Sequence, residues 1–266
     1  MIDNYIISTM SKIEKLELEL TVFNSKRALS NIEKNIEIIR IGNSTLIIDR
    51  NSPKSGYYNR VKGFGDGDID KLKSILNTYS KYNIEPFFEV TPNNITESVS
   101  KALNKEGYAN IEQLVYMELN ELEVSESNRN VDFEIVKVSD ANSEEFVDII
   151  QQSNGGMDIS KEVVENKKHY FYKPCFHNYI AYSRGEVAGM GSMFISEDAG
   201  YIANDYTFEK ARGLGCQKVL LTHRINEAIN LGLKSLYTDV VFGSISHNNM
   251  KKFGFEDVYT SSFWAK

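Results

Sequence analysis

The chain has 266 residues, 41% hydrophobic and 25% charged, with only 17 glycines and 4 prolines. At roughly 150 residues per domain this length predicts two domains, and the composition is that of an ordered globular chain, not of a linker-rich one. A net charge of −7 leaves no basic surplus against phosphate, which excludes general nucleic-acid binding from the expected functions.

Two cysteines, Cys175 and Cys216, cannot form a disulfide framework, and the four histidines include no i,i+4 pair, so neither a structural zinc site nor any other metal is expected. The N-terminal stretch lacks a basic start followed by an apolar run, and no segment approaches the roughly 18 apolar residues of a membrane span. The expected location is therefore the cytoplasm, without membrane contact, and the sequons at Asn43 and Asn94 are read as chance.

In chain order, the first 34 residues read as helix, with Ile13, Leu16, Leu20 and Phe23 among Glu and Lys and no Gly or Pro to interrupt them. Ile36–Ile39 and Leu46–Ile48 flank Gly42-Asn43, a hairpin signal, and residues 57–64 suggest another strand. Asp68 is placed to cap a helix from about Ile69 to Tyr82, with Leu72, Ile75, Leu76 and Tyr79 on one face. A short strand at 86–90 is stopped by Thr91-Pro92. A helix starting at Asn94 or Thr96 ends at Gly107, and a strand follows at 111–119. The polar stretch 120–130 is the expected domain boundary.

The second half repeats the order. Phe133–Val138 reads as a strand, Asn142–Ser153 as a helix ending at Gly155-Gly156, and 160–172 as a helix broken at Lys173-Pro174. Tyr179–Tyr182 and Val187–Phe194 form a hairpin across Arg184-Gly185, and Tyr201–Phe208 is the next strand. Gln217–Leu231 is an amphipathic helix stopped by Gly232. Leu236–Val241, Ser246–Phe253 and Glu256–Trp264 read as strand, helix and strand. Each half carries Lys-x-Gly-aromatic between a helix and a strand, at Lys105–Tyr108 and Lys252–Phe255, the mark of a diverged internal repeat.

The chemistry is concentrated between Tyr201 and Leu221, where an apolar strand enters a turn holding Arg212, Gly213 and Gly215 and then a long helix. Glycines allow positive φ and close approach of a ligand, and a helix start offers N–H groups and partial positive charge. Arg212 adds a formal charge, so phosphate or pyrophosphate is the natural guest. A turn that needs glycine for its own geometry is the plainer alternative.

Arg212-Gly213-Leu214-Gly215-Cys216-Gln217 resembles the pyrophosphate loop of the GNAT superfamily of N-acetyltransferases, and Gly243–Phe255, containing Asn249, resembles that family's last helix and its Gly-Phe end. The resemblance covers about 131–266. It implies a mixed α/β sheet flanked by helices in each of two tandem GNAT-like domains, 1–125 being a degenerate copy and 131–266 the acetyltransferase. It further implies acetyl-CoA as cosubstrate, no metal, and a small-molecule amine as acceptor. The cofactor residues it implies are Tyr206, Thr207, Phe208, Arg212, Gly213, Leu214, Gly215, Cys216, Gln217 and Asn249. The strand ending at Phe208 is expected to splay from Leu236–Val241, and a backbone N–H near Tyr206–Phe208 to polarise the thioester. The first half has Gly63-Phe64-Gly65-Asp66-Gly67 instead, without arginine and with added acid, and is not expected to hold the cofactor in the usual way.

Two positions depart from the family pattern. Gln217 replaces a small residue, and Met250 stands where many members carry the tyrosine that protonates the thiolate. Tyr259 or His247, then Tyr237, are the substitute acids. Asp205 is the candidate base, expected to share a strand face with Thr207 and to oppose Asn204. Cys216 is read as a small filler and His177 as a loop residue. Asn154–Met157 reads as a helix connection or an acceptor loop. Tyr170–Tyr172, with His169, reads as core or as an acceptor wall.

The leading expectation is thus an N-acetyltransferase, monomeric or homodimeric, that moves an acetyl group to a primary amine in a ternary complex. A catalytically weak or inactive coenzyme A-binding or regulatory module is the second reading, and an unrelated structural α/β protein the third. The acidic total charge suggests a cationic acceptor.

Overall fold

A computed structural model describes residues 3–123, 133–156 and 158–266. Residues 124–130 of the expected boundary and Met157 of the Asn154–Met157 segment lie outside them. Two compact units emerge, one from Met1–Lys26, Ile32–Met117 and Asp239–Lys266, the other from Arg27–Asn31 and Glu118–Thr238. The expected spans 1–125 and 131–266 follow the repeat along the chain, whereas the compact units interleave.

The first unit opens with α1 (Asn4–Arg27), whose face at Met10, Ile13, Leu16 and Leu20 is buried together with Glu17 and Thr21. The hairpin β1 (Ile36–Ile41) and β2 (Ser44–Asp49) pairs Ile41 with Ser44 across Gly42, which takes φ +62°. β3 (Arg60–Lys62) runs antiparallel to β2 and parallel to β4 (Phe87–Val90). Between them lies α2 (Leu72–Ser80), packed through Leu72, Ile75 and Tyr79. Asp68 does not cap this helix. It sits in a 3₁₀ turn at Asp66–Lys71, buried, and accepts from the Asn43 N–H at 2.9 Å and the Ser44 hydroxyl at 2.8 Å. The hairpin turn satisfies Oδ2 of the buried carboxylate, and Lys71 Nζ lies 3.4 Å from Oδ1.

Thr96 caps α3 (Glu97–Lys105), its hydroxyl accepting from the Val99 N–H at 3.1 Å. β5 (Ala109–Leu119) follows. The last helix and strand, α7 (Ile245–Lys252) and β11 (Glu256–Ala265), complete this unit, with β11 lying between β4 and β5 in the sheet. One core holds Val61, Phe64, Phe88, Tyr108 and Trp264, with Phe64 and Phe88 edge-on at 5.3 Å.

The opposite face of the same strands is polar and buried. Arg60 and Lys62 point with Glu89 toward Glu17 of α1. Lys62 Nζ lies 2.7 Å from Glu17 and 3.0 Å from Glu89, and Tyr116 donates to Glu89 at 2.8 Å. Burial pushes the Glu17 carboxyl up, but Arg60 and Lys62 outweigh it and bring the group from 4.5 to about 2.

The second unit is a sheet in the order β10-β9-β8-β7-β6. β6 (Phe133–Lys137), β7 (Phe176–Ser183), β8 (Glu186–Ser196) and β9 (Ala199–Thr207) are successively antiparallel, and β10 (Ser235–Val241) is parallel to β9. α4 (Ser143–Ser153), α5 (Lys161–Lys167) and α6 (Cys216–Asn230) flank it. Two antiparallel pairings, a helix and a parallel strand thus recur in both units, as the repeat predicts, and each sheet is mixed. His177 lies within β7 and not in a loop. It is almost buried, with Nδ1 3.1 Å from Lys137 Nζ and 3.3 Å from Glu227. Phe171 is core, against Phe146 at 5.6 Å. No described helix is long and apolar enough to cross a membrane.

Candidate active site

The site is built where β8 and β9 lose their register. Met190 pairs with Tyr206 and Ser192 with Ala203, so Gly191 alone faces both Asn204 and Asp205. This is a β-bulge, and Asn204 absorbs it with φ +52°. The bulge breaks the alternation expected for the strand: Asn204 and Asp205, instead of opposing each other, both line one cavity of about 370 Å³. Met190, Ser192 and Tyr206 line it too, as does Asn154 at the end of α4.

Asp205 meets Arg224 of α6, Oδ1 lying 2.5 Å from Nη2, with the carboxylate side chain 21% exposed and the guanidinium fully buried. Arg224 is fixed from two further sides, Nη1 donating to the Ser192 carbonyl at 2.9 Å and Nε to the Leu220 carbonyl at 3.1 Å. Burial raises the Asp205 carboxyl above its ordinary value, and Arg224 offsets this only in part. Gly191 is what makes room: a Cβ there would lie 2.8 Å from Asp205 Oδ1.

Beyond the bulge, the Phe208 N–H donates to the Ala188 carbonyl at 3.0 Å. That amide is therefore engaged in the sheet and is not the expected polarising donor. Successive strand amides point to opposite edges, so the Thr207 N–H faces the other edge of β9. That edge is open: the β9–β10 register covers only Ala199–Tyr201 against Ser235–Tyr237, extended by the Thr238 hydroxyl on the Ile202 carbonyl at 3.2 Å. The splay expected between these strands is present.

The chain then enters a 3₁₀ turn at Glu209–Ala211 and the loop Arg212–Gly215. Gly213 takes φ +76° and Gly215 φ +92°, the latter at the start of α6. A Cβ on Gly213 would meet nothing within 4 Å, and Arg212 is exposed. The segment is neither continuous helix nor buried, and it leaves open space before the first turn of α6, where N–H groups lack intrahelical acceptors. Cys216 packs below the loop with Ala188, Ala211 and Leu220. Burial raises its thiol, as a filler and not a nucleophile requires.

Asp205, Tyr206, Thr207, Phe208 and Arg212–Gln217 thus share the second unit. Tyr259, His247 and Asn249 belong to the first. There His247 is bound locally, Nδ1 accepting from the Gly243 N–H at 3.1 Å and Nε2 lying 2.9 Å from Asp257. Tyr259 stacks on Tyr116 with ring centroids 4.7 Å apart. Its buried hydroxyl has no hydrogen-bond partner among the described residues, and burial, with Glu89 and Glu14, holds its proton well above the ordinary tyrosine range. Met250 is buried in α7, and Tyr237 in β10.

Arg27, which lines the cavity, and Arg224 and Gly191, which pack against Asp205, escaped the sequence reading. Arg224 was detectable, since it interrupts the apolar stripe Leu220, Leu221, Ile225 and Ala228 of α6. Gly191 follows Gly189 in a strand, a sign of close approach.

Residues 143–255 match the family described as Acetyltransferase (GNAT) family. No curated protein matches the chain in sequence. Among solved structures, a GCN5-related N-acetyltransferase from Kribbella flavida superposes with a TM-score of 0.66 at 11% identity, covering 96% of this chain and 94% of its own. One from Sphaerobacter thermophilus gives 0.61 at 10% identity, covering 86% and 82%. A tandem GNAT protein from the clavulanic acid biosynthesis pathway gives 0.57 at 10% identity, covering 95% of each chain. These likenesses establish the fold. With the family match, residues 143–255 form a domain of the GNAT acetyltransferase family, so the chain carries an acyltransferase domain.

Proposed function

We propose that the protein is an acetyl-CoA-dependent N-acetyltransferase that acetylates a primary amine of a small molecule. The observation that carries this reading is the bulge, which sets Asp205 in the cavity while β9 runs on to an open edge and the Arg212–Gln217 loop. The residues present suit the cosubstrate. Arg212 with the two left-handed glycines forms an exposed loop that fits a pyrophosphate, and the β9 edge beyond Tyr201 suits an extended amide chain. Acetyl-CoA supplies the acetyl group activated as a thioester.

The remaining work falls to the chain. Asp205 takes a proton from the acceptor ammonium, and Arg224 keeps the carboxylate in place. The Thr207 N–H is oriented to donate to an acyl oxygen. In this reading the base, Asp205, precedes the donor, Thr207, by two residues on one bulged strand. The two halves are read as tandem copies, with 131–266 the acting one. In the first half, Asp68 ties down the turn where the second half has its open loop.

Coenzyme A binding with little turnover is the second reading. Met250 favours it, because a buried thioether cannot protonate a thiolate. Release of thiol from acetyl-CoA in the presence of amines, by wild type and Asp205→Asn, separates the two. Turnover abolished in the variant supports the enzyme. Binding with no thiol release from any amine supports the module.

A further inference from the structure

Among the described residues other than glycine, Asn83, Arg184, Glu197 and Asn204 take positive φ. The first three lie in turns, but Asn204 stands inside β9. Asparagine tolerates the left-handed region, yet a position that needed only this backbone shape would be served by glycine at less cost. Its side chain is therefore what calls for a reason.

The bulge sets Asn204 in the cavity beside Asp205. The residue is exposed there, and its carboxamide has no hydrogen-bond partner among the described residues. Three polar neighbours in the cavity wall are already committed. Ser192 Oγ donates to Asn178 Oδ1 at 2.5 Å, Ser153 Oγ to the Ile150 carbonyl at 2.8 Å, and Asn154 Nδ2 to the same carbonyl at 2.8 Å.

Resting on the function proposed above, we propose that Asn204 selects the acceptor by binding an uncharged oxygen, a hydroxyl or an amide carbonyl, carried one or two carbons from the amine that Asp205 deprotonates. A regular strand sends consecutive side chains to opposite faces, whereas here Asn204 and Asp205 line one cavity. Their Cα atoms are about 3.8 Å apart, so the two groups they bind are near neighbours on one ligand. A carboxamide offers a donor, Nδ2, and an acceptor, Oδ1, without charge. A hydroxyl or an amide answers either side of it, while a second ammonium could meet only Oδ1. Phe146, Ile150 and Met190 supply an apolar wall for the body of the acceptor.

The test is titration calorimetry of the full-length protein with leucinol, leucinamide and 1,3-dimethylbutylamine. All three are primary amines with the same isobutyl arm and one positive charge, and they differ in the oxygen. Leucinol, leucinamide or both are expected to bind about three- to tenfold tighter than the bare amine, the worth of one neutral hydrogen bond. Preference for one of the two identifies the oxygen as hydroxyl or carbonyl. Asn204→Gly should bring the ratio to about one, and glycine keeps the positive φ, so this variant folds. Asn204→Ala should lose the preference equally but melt at a lower temperature than Asn204→Gly, because alanine fits that backbone poorly. Equal or tighter binding of the bare amine overturns the proposal. So does an unchanged ratio in Asn204→Gly, or no binding by any of the three amines. Titration of the same samples with acetyl-CoA keeps the two claims apart. Preference for the oxygen without acetyl-CoA binding contradicts the acetyltransferase reading but supports this one, and acetyl-CoA binding without the preference does the reverse.

Discussion

Gly191→Ala tests whether the bulge exists to hold the Asp205–Arg224 pair. The glycine has no left-handed φ, so the backbone itself accepts alanine, and a shorter list of unfolded conformations would stabilise the variant by about 0.4–1 kcal/mol. Opposing this, the new Cβ would lie 2.8 Å from both Arg224 Cζ and Asp205 Oδ1 and 3.0 Å from Arg224 Nη1. Arg224 cannot retreat, because Ser192 and Leu220 hold it through their carbonyls. Asp205 must therefore move and give up its 2.5 Å contact. Overpacking of this kind costs about 1–3 kcal/mol. Separating a buried pair costs about 3–5 kcal/mol at most, and less here because the carboxylate is partly solvated. The expected net effect is a destabilisation of about 1–3 kcal/mol in urea unfolding, with kcat/KM for acetyl transfer falling about 10²–10⁴-fold as the base is displaced. In a cycle with Asp205→Ala the two changes should couple by at least about 1 kcal/mol. A Gly191→Ala protein as stable and as active as wild type would refute the role assigned to this pair.

Other consequences follow from the same geometry. Because the Asp205 carboxyl is raised by burial, the acid limb of kcat/KM against pH should have its midpoint above 3.8, with activity lost as pH falls through it; Asp205→Asn should remove that limb along with most of the rate. Glu17 is lowered from 4.5 to about 2, so its contribution, about 3 kcal/mol, is complete above 4.5 and disappears as pH falls toward 2. Thermal melts between neutral pH and pH 2 should show this loss, and Glu17→Gln should flatten it. Lys62→Met leaves Glu17 and Glu89 short of a cation and should cost about 3–5 kcal/mol. A cost below about 1 kcal/mol would contradict the paired arrangement. His177 and His223 are both lowered from 6.5 by burial, so the stability they contribute is complete above pH 6.5 and is lost as pH falls below it. Replacing both by Gln should remove that part of the slope.

What the sequence disclosed and what it withheld divide by range of interaction. The loop Arg212–Gln217 was legible because glycines before an amphipathic helix are a local signal, and the structure has left-handed Gly213 and Gly215 where the spacing placed them. The repeat was legible for the same reason, through Lys105–Tyr108 and Lys252–Phe255. The bulge at Asn204-Asp205 was not, since it arises from pairing with Gly191, and a regular alternation was the natural default. Asp68 misled because a residue suited to a helix cap is equally suited to a hairpin turn, and which it serves depends on Asn43 and Ser44 at a distance. Likewise, no local pattern marks Arg60 and Lys62 as partners of Glu17, which lies more than 40 residues away along the chain. The place of β11 beside β4 is the longest-range pairing of all, and no local pattern announces it.

The central claim is that the Arg212–Gln217 loop receives the pyrophosphate of acetyl-CoA. Isothermal titration of wild type and Arg212→Glu with acetyl-CoA tests it most directly. The loop is exposed and Arg212 lies outside the core, so the variant should fold and melt as wild type does. Micromolar-range binding by wild type, weakened at least about tenfold in the variant by the loss of a charge-assisted contact, is the predicted result. No binding by wild type, or equal binding by both proteins, would contradict it.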